Sequence, residues 1–254
     1  MTTQGITIEV AAFTPCAAIT AAKAGADRIE LCSGYSEGGL SPSAGTIQKV
    51  RENISIPLHV MIRPRIGDFV YSSLEKEAII NDMAFCKNLG IDGIVLGALT
   101  ESGKVDADFV KKVIELAHPM SVTFHRAFDI TKDLFEALNE LISCGVDRIL
   151  TSGGKSSAIE GIETISELVK LANDKLIILP GGGINPQNIQ DIVSKTGVKE
   201  IHFSAKKLVQ SPMSSQTKLS LTSSGEVSDS EWYECEAELV RELSKKLDKG
   251  GMVD

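Results

Sequence analysis

Apolar residues recur along the chain with two different periods. Short runs with every second position apolar are separated by longer stretches in which apolar residues return every three or four positions. Short β-like runs, alternating in the first, second, third, fifth and eighth, predict strands at 6–11, 27–32, 57–63, 92–97, 120–125, 147–152, 175–180 and 200–205. Their starts lie 21 to 35 residues apart, the length of one strand–helix unit. Between them the helical period is clear; Leu134, Leu138, Leu141 and Ile142 share one stripe. Gly25, Gly90, Gly145 and Gly197 stand just before the next strand, as residues that end helices do. Three of them open one repeated phrase, AGADRIEL, LGIDGIVL and CGVDRILT, so the same helix-to-strand turn recurs.

Eight such units predict an α/β fold, a (β/α)8 TIM-type barrel forming a single domain, with the barrel at 6–205. A doubly wound sheet fits less well, because the first strand–helix turn lacks the G-x-G-x-x-G pattern. The remainder, 206–254, reads as a C-terminal extension. Within it, 211–230 is half Ser or Thr and is expected to be irregular. A last helix is expected at 229–247, with Trp232 and Tyr233 anchoring it to the barrel or to another subunit.

The alternation also assigns faces. Helices cover the outside of a barrel, so the apolar set of each strand faces outward and the polar set points in. The inward set includes Glu9, Arg28, Glu30, Cys32, His59, Arg63, His125, His202 and Ser204. In the fourth strand that parity carries Gly93, Val95 and Gly97, which leaves space. Buried charges must pair or meet a charged ligand. Arg28 and His59, early in their strands, suit an ion-pair network at the barrel floor. Glu9, Glu30, Arg63, His125 and His202 fall late in theirs, towards the end where barrel active sites gather.

The loops at that end are polar too. MIRPRIGDF supplies Arg63 and Arg65, FHRAFD supplies His125, Arg126 and Asp129, and LTSGG supplies Ser152 and Gly153. LPGGGINPQN places Gly182 and Gly183 before a helix expected near Asn185 and Pro186, and Ser204 follows the eighth strand. Glycines ahead of a helix expose backbone N–H groups, and barrels often hold phosphate after strands seven and eight. Arg65, Ser152, Gly153, Gly182, Gly183 and Ser204 are therefore candidate anion-binding residues, although a tight turn alone would also explain the glycines.

Composition narrows the classes. With 43% hydrophobic and 24% charged residues in a chain of 254, the protein is an ordinary globular one. No apolar run approaches the roughly 20 residues of a membrane helix. The N-terminus does not read as a signal peptide, which points to the cytoplasm. The net charge of −8 argues against nucleic acid and anionic membranes as partners. Five cysteines without a C-x-x-C pair read as thiols in a reducing compartment. Cys86 and Cys144 suit core packing. Cys32 ends the second strand facing inward. Cys16 follows Thr14 and Pro15, an expected N-cap and first helical residue, where the helix dipole should acidify a thiol. Cys16 and Cys32 lie at the same barrel end. They are either a soft pair suited to Cu(I) or two unrelated thiols.

Taken together, the phrases IEV at 8–10, GADRIELC at 25–32, EGGLSPS at 37–43, IRPR at 62–65 and GDF at 67–69 resemble the CutC copper-homeostasis family. VTFHRAFD at 122–129, LTSGG at 150–154, GGGI at 181–184, Glu200 with His202, and SPM at 211–213 extend the resemblance over most of the chain to about residue 213. It implies a single barrel, a cytosolic setting, a tie to copper and a homo-oligomer, dimer or tetramer. Members linked to Cu(I) tend to carry a Cys directly after IEV, paired in space with the Cys of RIELC. Here Ala11 takes the first place and Cys32 the second, so the two-thiolate site is incomplete.

Three readings follow. The first is a cytosolic copper-homeostasis protein of CutC type that binds Cu(I) through Cys32 with help from Cys16. The second is a barrel enzyme acting on a small anionic or phosphorylated substrate. There Glu9 or Glu30 serves as base, His125 as acid or electrophile with Asp129 orienting it, and Arg63 with Arg65 as clamp; His202 completes the catalytic set. The third is a sensor or scaffold that works as an oligomer through 211–230 and the last helix.

Overall fold

Strands form where β-branched and aliphatic residues alternate, and helices follow where Ser, Thr or Asp can cap them. In the computed structural model, which describes residues 5–214 and 229–249, the order is β1 (Thr7–Ala12), α1 (Pro15–Ala24), β2 (Arg28–Leu31), α2 (Ala44–Asn53), β3 (Leu58–Met61), α3 (Ser73–Asn88), β4 (Gly93–Leu96) and α4 (Ala107–Ala117). The second half runs β5 (Ser121–Phe124), α5 (Leu134–Cys144), β6 (Arg148–Thr151), α6 (Ile162–Ala172), β7 (Ile177–Pro180), α7 (Ile189–Thr196) and β8 (Glu200–Phe203). All pairings within this sheet are parallel, in the order β7-β6-β5-β4-β3-β2-β1-β8, and β7 meets β8 across the remaining seam. The expected barrel is present. Thr14 caps α1 by accepting from the Ala17 N–H, with Pro15 at the first helical position.

The repeated phrase has a physical cause. Asp27, Asp92 and Asp147 each stand one residue before an even-numbered strand. Their carboxylates accept the N–H of Ile8, Leu58 and Val122, at 2.8, 2.8 and 2.7 Å, at the start of the strand alongside. Each Asp also donates its own N–H to the carbonyl of that same residue. The preceding glycines, among them Gly25 and Gly145, end their helices in the left-handed region, where a side chain would be strained.

The hydrophobic core divides in two. The larger part lies between strands and helices; a small separate cluster of Cys32, Met61 and Val95, with Phe13 against it, lies inside the barrel. The inward polar parity read from the alternation thus holds, with a little sulfur and aliphatic surface near the mouth. Six of the strands end one or two residues earlier than expected, while β1 runs one residue further and β7 ends as expected. Even so, Ile62 N–H still donates to Val95 and His125 N–H to Leu96, so the next side chains keep their inward direction.

After β8, Ala205 takes a left-handed conformation and the chain turns into β9 (Lys206–Gln210), which pairs antiparallel with β10 (Glu231–Cys235). The helix expected at 229–247 is therefore corrected. Trp232, Tyr233 and Cys235 lie on a strand, as aromatic side chains prefer, and α8 covers only Ala237–Lys249. Tyr233 packs on Tyr35 at 4.4 Å between ring centroids, and Val240 and Leu243 are fully buried in the main core. Of the expected irregular segment, 215–228 lies outside the described residues.

Candidate functional site

A layer of buried charge lies across the inside of the barrel. Arg28 Nε donates to Glu9 at 2.5 Å, and its Nη2 to Glu200, which also accepts from Arg148 Nε at 2.9 Å. His59 Nδ1 lies 3.9 Å from the Glu9 carboxylate. Arg28 and His59 thus belong to a floor network, and Glu9 belongs to it as well. From Glu9 the chain of groups climbs. The Nδ1 of His202 meets Glu9 at 2.7 Å, its Nε2 lies 3.8 Å from Glu30, and the Cys32 thiol donates to Glu30 at 3.4 Å.

The environments push these groups apart. Burial alone would raise Glu9, but its bond to His202 and the Arg28 charge outweigh that and hold it well below the usual carboxylate range. Glu30, equally buried but without an arginine partner, is raised by desolvation. Burial would lower His202, yet the Glu30 charge and the bond to Glu9 raise it. His59 falls to about 4 and His125 to about 3, both chiefly through burial, with the Arg63 charge adding to the effect on His125.

Above this layer opens a cavity of about 910 Å³, walled by residues that include Glu30, Cys32, Met61, Arg63, His125 and His202. His125 caps a 3-10 turn over Arg126–Ile130; its Nδ1 accepts the Ala127 N–H at 3.1 Å, which leaves the ring proton on Nε2. That Nε2 has no partner among the described residues. Gly97 makes room for the ring: a Cβ there would lie 2.3 Å from His125 Cε1. Gly93 does the same for His59, at 2.5 Å from Nε2.

The remaining expected residues divide. Gly182, Gly183 and Ser204 line the cavity, with Gly182 and Gly183 in the left-handed region. The helix that follows is displaced, because α7 starts only at Ile189 and Asn185 and Asn188 turn back to donate to the Gly183 carbonyl. Asp129 does not orient His125. Its carboxylate accepts from Arg126 Nε, Thr151 Oγ1, Ser152 N–H and Oγ, and Gly154 N–H. The donors of the LTSGG loop are thus satisfied by the protein's own anion, and Gly153 N–H bonds Thr151. Ser152 and Gly153 lie outside the cavity wall. Arg65 is spent as well: it donates to Glu75, to Asp68, and to the carbonyls of Ile66, Asp68 and Val70. Cys16 is exposed on the first turn of α1 and is not among the cavity residues, whereas Cys32 is buried there.

Several wall residues lay outside the expected set. Met61 shares the inward parity of His59 and Arg63, which was a usable signal. Phe69, Tyr35 and Lys206 come from loops and from β9, and no periodicity marks them.

The neutral imidazoles predict an acid-labile fold. Unfolded, both histidines take up protons near pH 6.5; folded, they resist until about 4 and 3. Between these values the unfolded chain binds more protons, so stability falls as pH falls. Glu30, raised by desolvation, opposes this between pH 6.5 and 4.5, but as one group against two; His202, raised by the Glu30 charge and its bond to Glu9, opposes it chiefly near and above pH 6.5. Urea midpoints should decline from pH 6.5 to 4.5. A flat profile would show that His59 and His125 are not held neutral.

Comparison with known proteins bears on the whole chain. The family model described as the CutC family matches residues 6–207. The chain belongs to the CutC family. The human copper homeostasis protein cutC homolog is 45% identical over 210 residues, covering 83% of this chain and 77% of its own. A family protein CutC of Xylella fastidiosa is 41% identical over 244 residues, covering 96% and 89%. Among solved structures, the CutC protein of Streptococcus agalactiae superposes with a TM-score of 0.74 at 34% identity, over 78% of this chain and 97% of its own. Phosphoribosylanthranilate isomerase of Thermotoga maritima, at 12% identity and a TM-score of 0.58, shares the barrel fold alone. No helix among the described residues is long and apolar enough to cross a membrane.

Proposed function

We propose that this CutC-family chain serves copper homeostasis in the cytosol and takes Cu(I) as cargo at Cys32. The observation that carries the reading is the sulfur-lined nook inside the barrel. Cys32 and Met61 share one buried cluster, and a Cβ at Gly39 would lie 3.5 Å from both the Cys32 sulfur and the Met61 methyl. A thiol and a thioether are the soft ligands that Cu(I) prefers. Ala11 on the cavity wall leaves the second thiol position vacant of sulfur, and Met61 takes the part first expected of Cys16.

Burial and the neighbouring Glu30 carboxyl push the Cys32 thiol well above its ordinary range. Cu(I) entry then expels a proton, and affinity should rise with pH. Anaerobic titration against a Cu(I) chelator tests this. Cys32→Ser should abolish competition for the metal, Met61→Leu should weaken it, and Cys16→Ser should leave it unchanged. Retained affinity in Cys32→Ser overturns the reading. The protein is further proposed to assemble as a dimer or tetramer; a single-chain mass in light scattering would refute that part.

A further inference from the structure

Arg63 stands apart from the other arginines. Arg28, Arg51, Arg65, Arg126, Arg148 and Arg241 each face a carboxylate. Arg63 is 7% exposed, and among the described residues no carboxylate comes within ion-pair distance of it. Its Nη1 donates to the carbonyls of Glu37 and Gly39 and its Nη2 to that of Gly67, while Nε has no acceptor. Neutral carbonyls orient a guanidinium but do not cancel its charge. A buried cation left without a counter-charge is costly, and its place on a cavity wall supplies the remedy: an anion from solution.

The second donor is close by. Phe69 packs against both groups, with its ring centroid 4.8 Å from the Arg63 guanidinium carbon and 4.8 Å from the His125 ring centroid. The unpartnered, buried Nε2–H of His125 is therefore a neutral hydrogen-bond donor beside an uncompensated charged one. A guanidinium matches the planar carboxylate fork, and one positive charge balances one negative charge. The neutral imidazole suits an uncharged oxygen on the neighbouring carbon. A phosphate dianion fits less well, since Asp129 already fills the LTSGG donors and Arg126 is paired with it. Glu30 and Glu37 also wall the cavity, so a multiply charged anion would meet repulsion.

We propose that the barrel mouth is a binding site for a small 2-oxo or 2-hydroxy carboxylate, with its carboxylate on Arg63 and its adjacent oxygen on His125 Nε2–H. The site does not depend on copper: Cys32 and Met61 take no part in it.

The test uses the metal-free full-length protein and calorimetric titration with pyruvate, lactate, acetate and inorganic phosphate. Pyruvate and lactate should bind saturably, acetate more weakly, and phosphate not at all. Arg63→Gln should lower the affinity for pyruvate by about tenfold or more. His125→Phe should remove the preference for lactate over acetate while acetate binding remains. If Arg63→Gln does not fold, the wild-type protein still decides. The His125 Nε2–H resonance should shift on adding pyruvate, and in Cys32→Ser it should shift equally. No binding of either acid, tighter binding of phosphate, or an unmoved His125 resonance overturns the site.

Discussion

Arg28→Met is expected to destabilise the protein by about 3–5 kcal/mol, read as a lower urea midpoint at neutral pH. The reason is the company Arg28 keeps. It is 5% exposed and bridges two carboxylates, Glu9 and Glu200, that are themselves buried. Methionine fills much of the same volume but leaves Glu9 with His202 and the more distant His59, while Glu200 keeps Arg148. What is lost is therefore less the attraction of one pair than the compensation of a negative charge already taken out of water. Arg51→Met provides the contrast. Its ion pair with Asp92 is partly exposed, with Asp92 at 44%, and such a pair is worth only about 0–1 kcal/mol. A loss in Arg28→Met no larger than in Arg51→Met would mean that the inner network does not hold the barrel together.

Gly97→Ala should cost about 1–3 kcal/mol and at the same time disable the carboxylate site. An added Cβ would lie 2.3 and 2.5 Å from His125 Cε1 and Nδ1 and 2.8 Å from Ala127 Cβ. None of these can swing away. The imidazole is buried at the cavity wall and pinned by the Ala127 N–H, and Ala127 is buried. The ring must shift or the strand must move, and either change misplaces the unpartnered Nε2–H. Gly45, on α2 with nothing within 4 Å of its added Cβ, is the matched control; there alanine should be neutral or stabilising by about 0.5–1 kcal/mol. Equal urea midpoints for the two variants would show that His125 is not locked by the space at Gly97.

Much of the barrel is legible in the chain because a strand's period of two and a helix's period of 3.6 are local properties. The polar residues of β1, β2, β3, β5 and β8 point inward as their alternation requires. The Asp of the repeated phrase marks the strand starts, because the residue that caps a neighbouring strand must sit at a constant offset. The last element was misread because Trp232 and Tyr233 near helix-forming residues look like a helix start. Their strand exists only through pairing with 206–210, a partner more than 20 residues away.

The candidate site was legible in its residue types but not in their roles. From sequence, Arg63, Arg65 and Arg126 are equivalent basic residues near the mouth, and Asp129 is equally a partner for His125 or for a loop. Which arginine keeps an uncancelled charge depends on which carboxylates come within reach. That is set by how each loop folds back on itself and on its neighbours: Arg65 reaches Asp68 and Glu75, Arg126 reaches Asp129, and Arg63 meets carbonyls alone, those of Glu37 and Gly39 from another loop. The same holds for the thiols. Cys16 and Cys32 look like neighbours by unit order, yet one is exposed on a helix and the other buried beside Met61. The sequence alone therefore determined the barrel, the inward charges and the family, because periodicity and motif are written along the chain. Only the tertiary structure decided which of those charges is left unpaired, because charge compensation and desolvation arise from the whole surrounding shell.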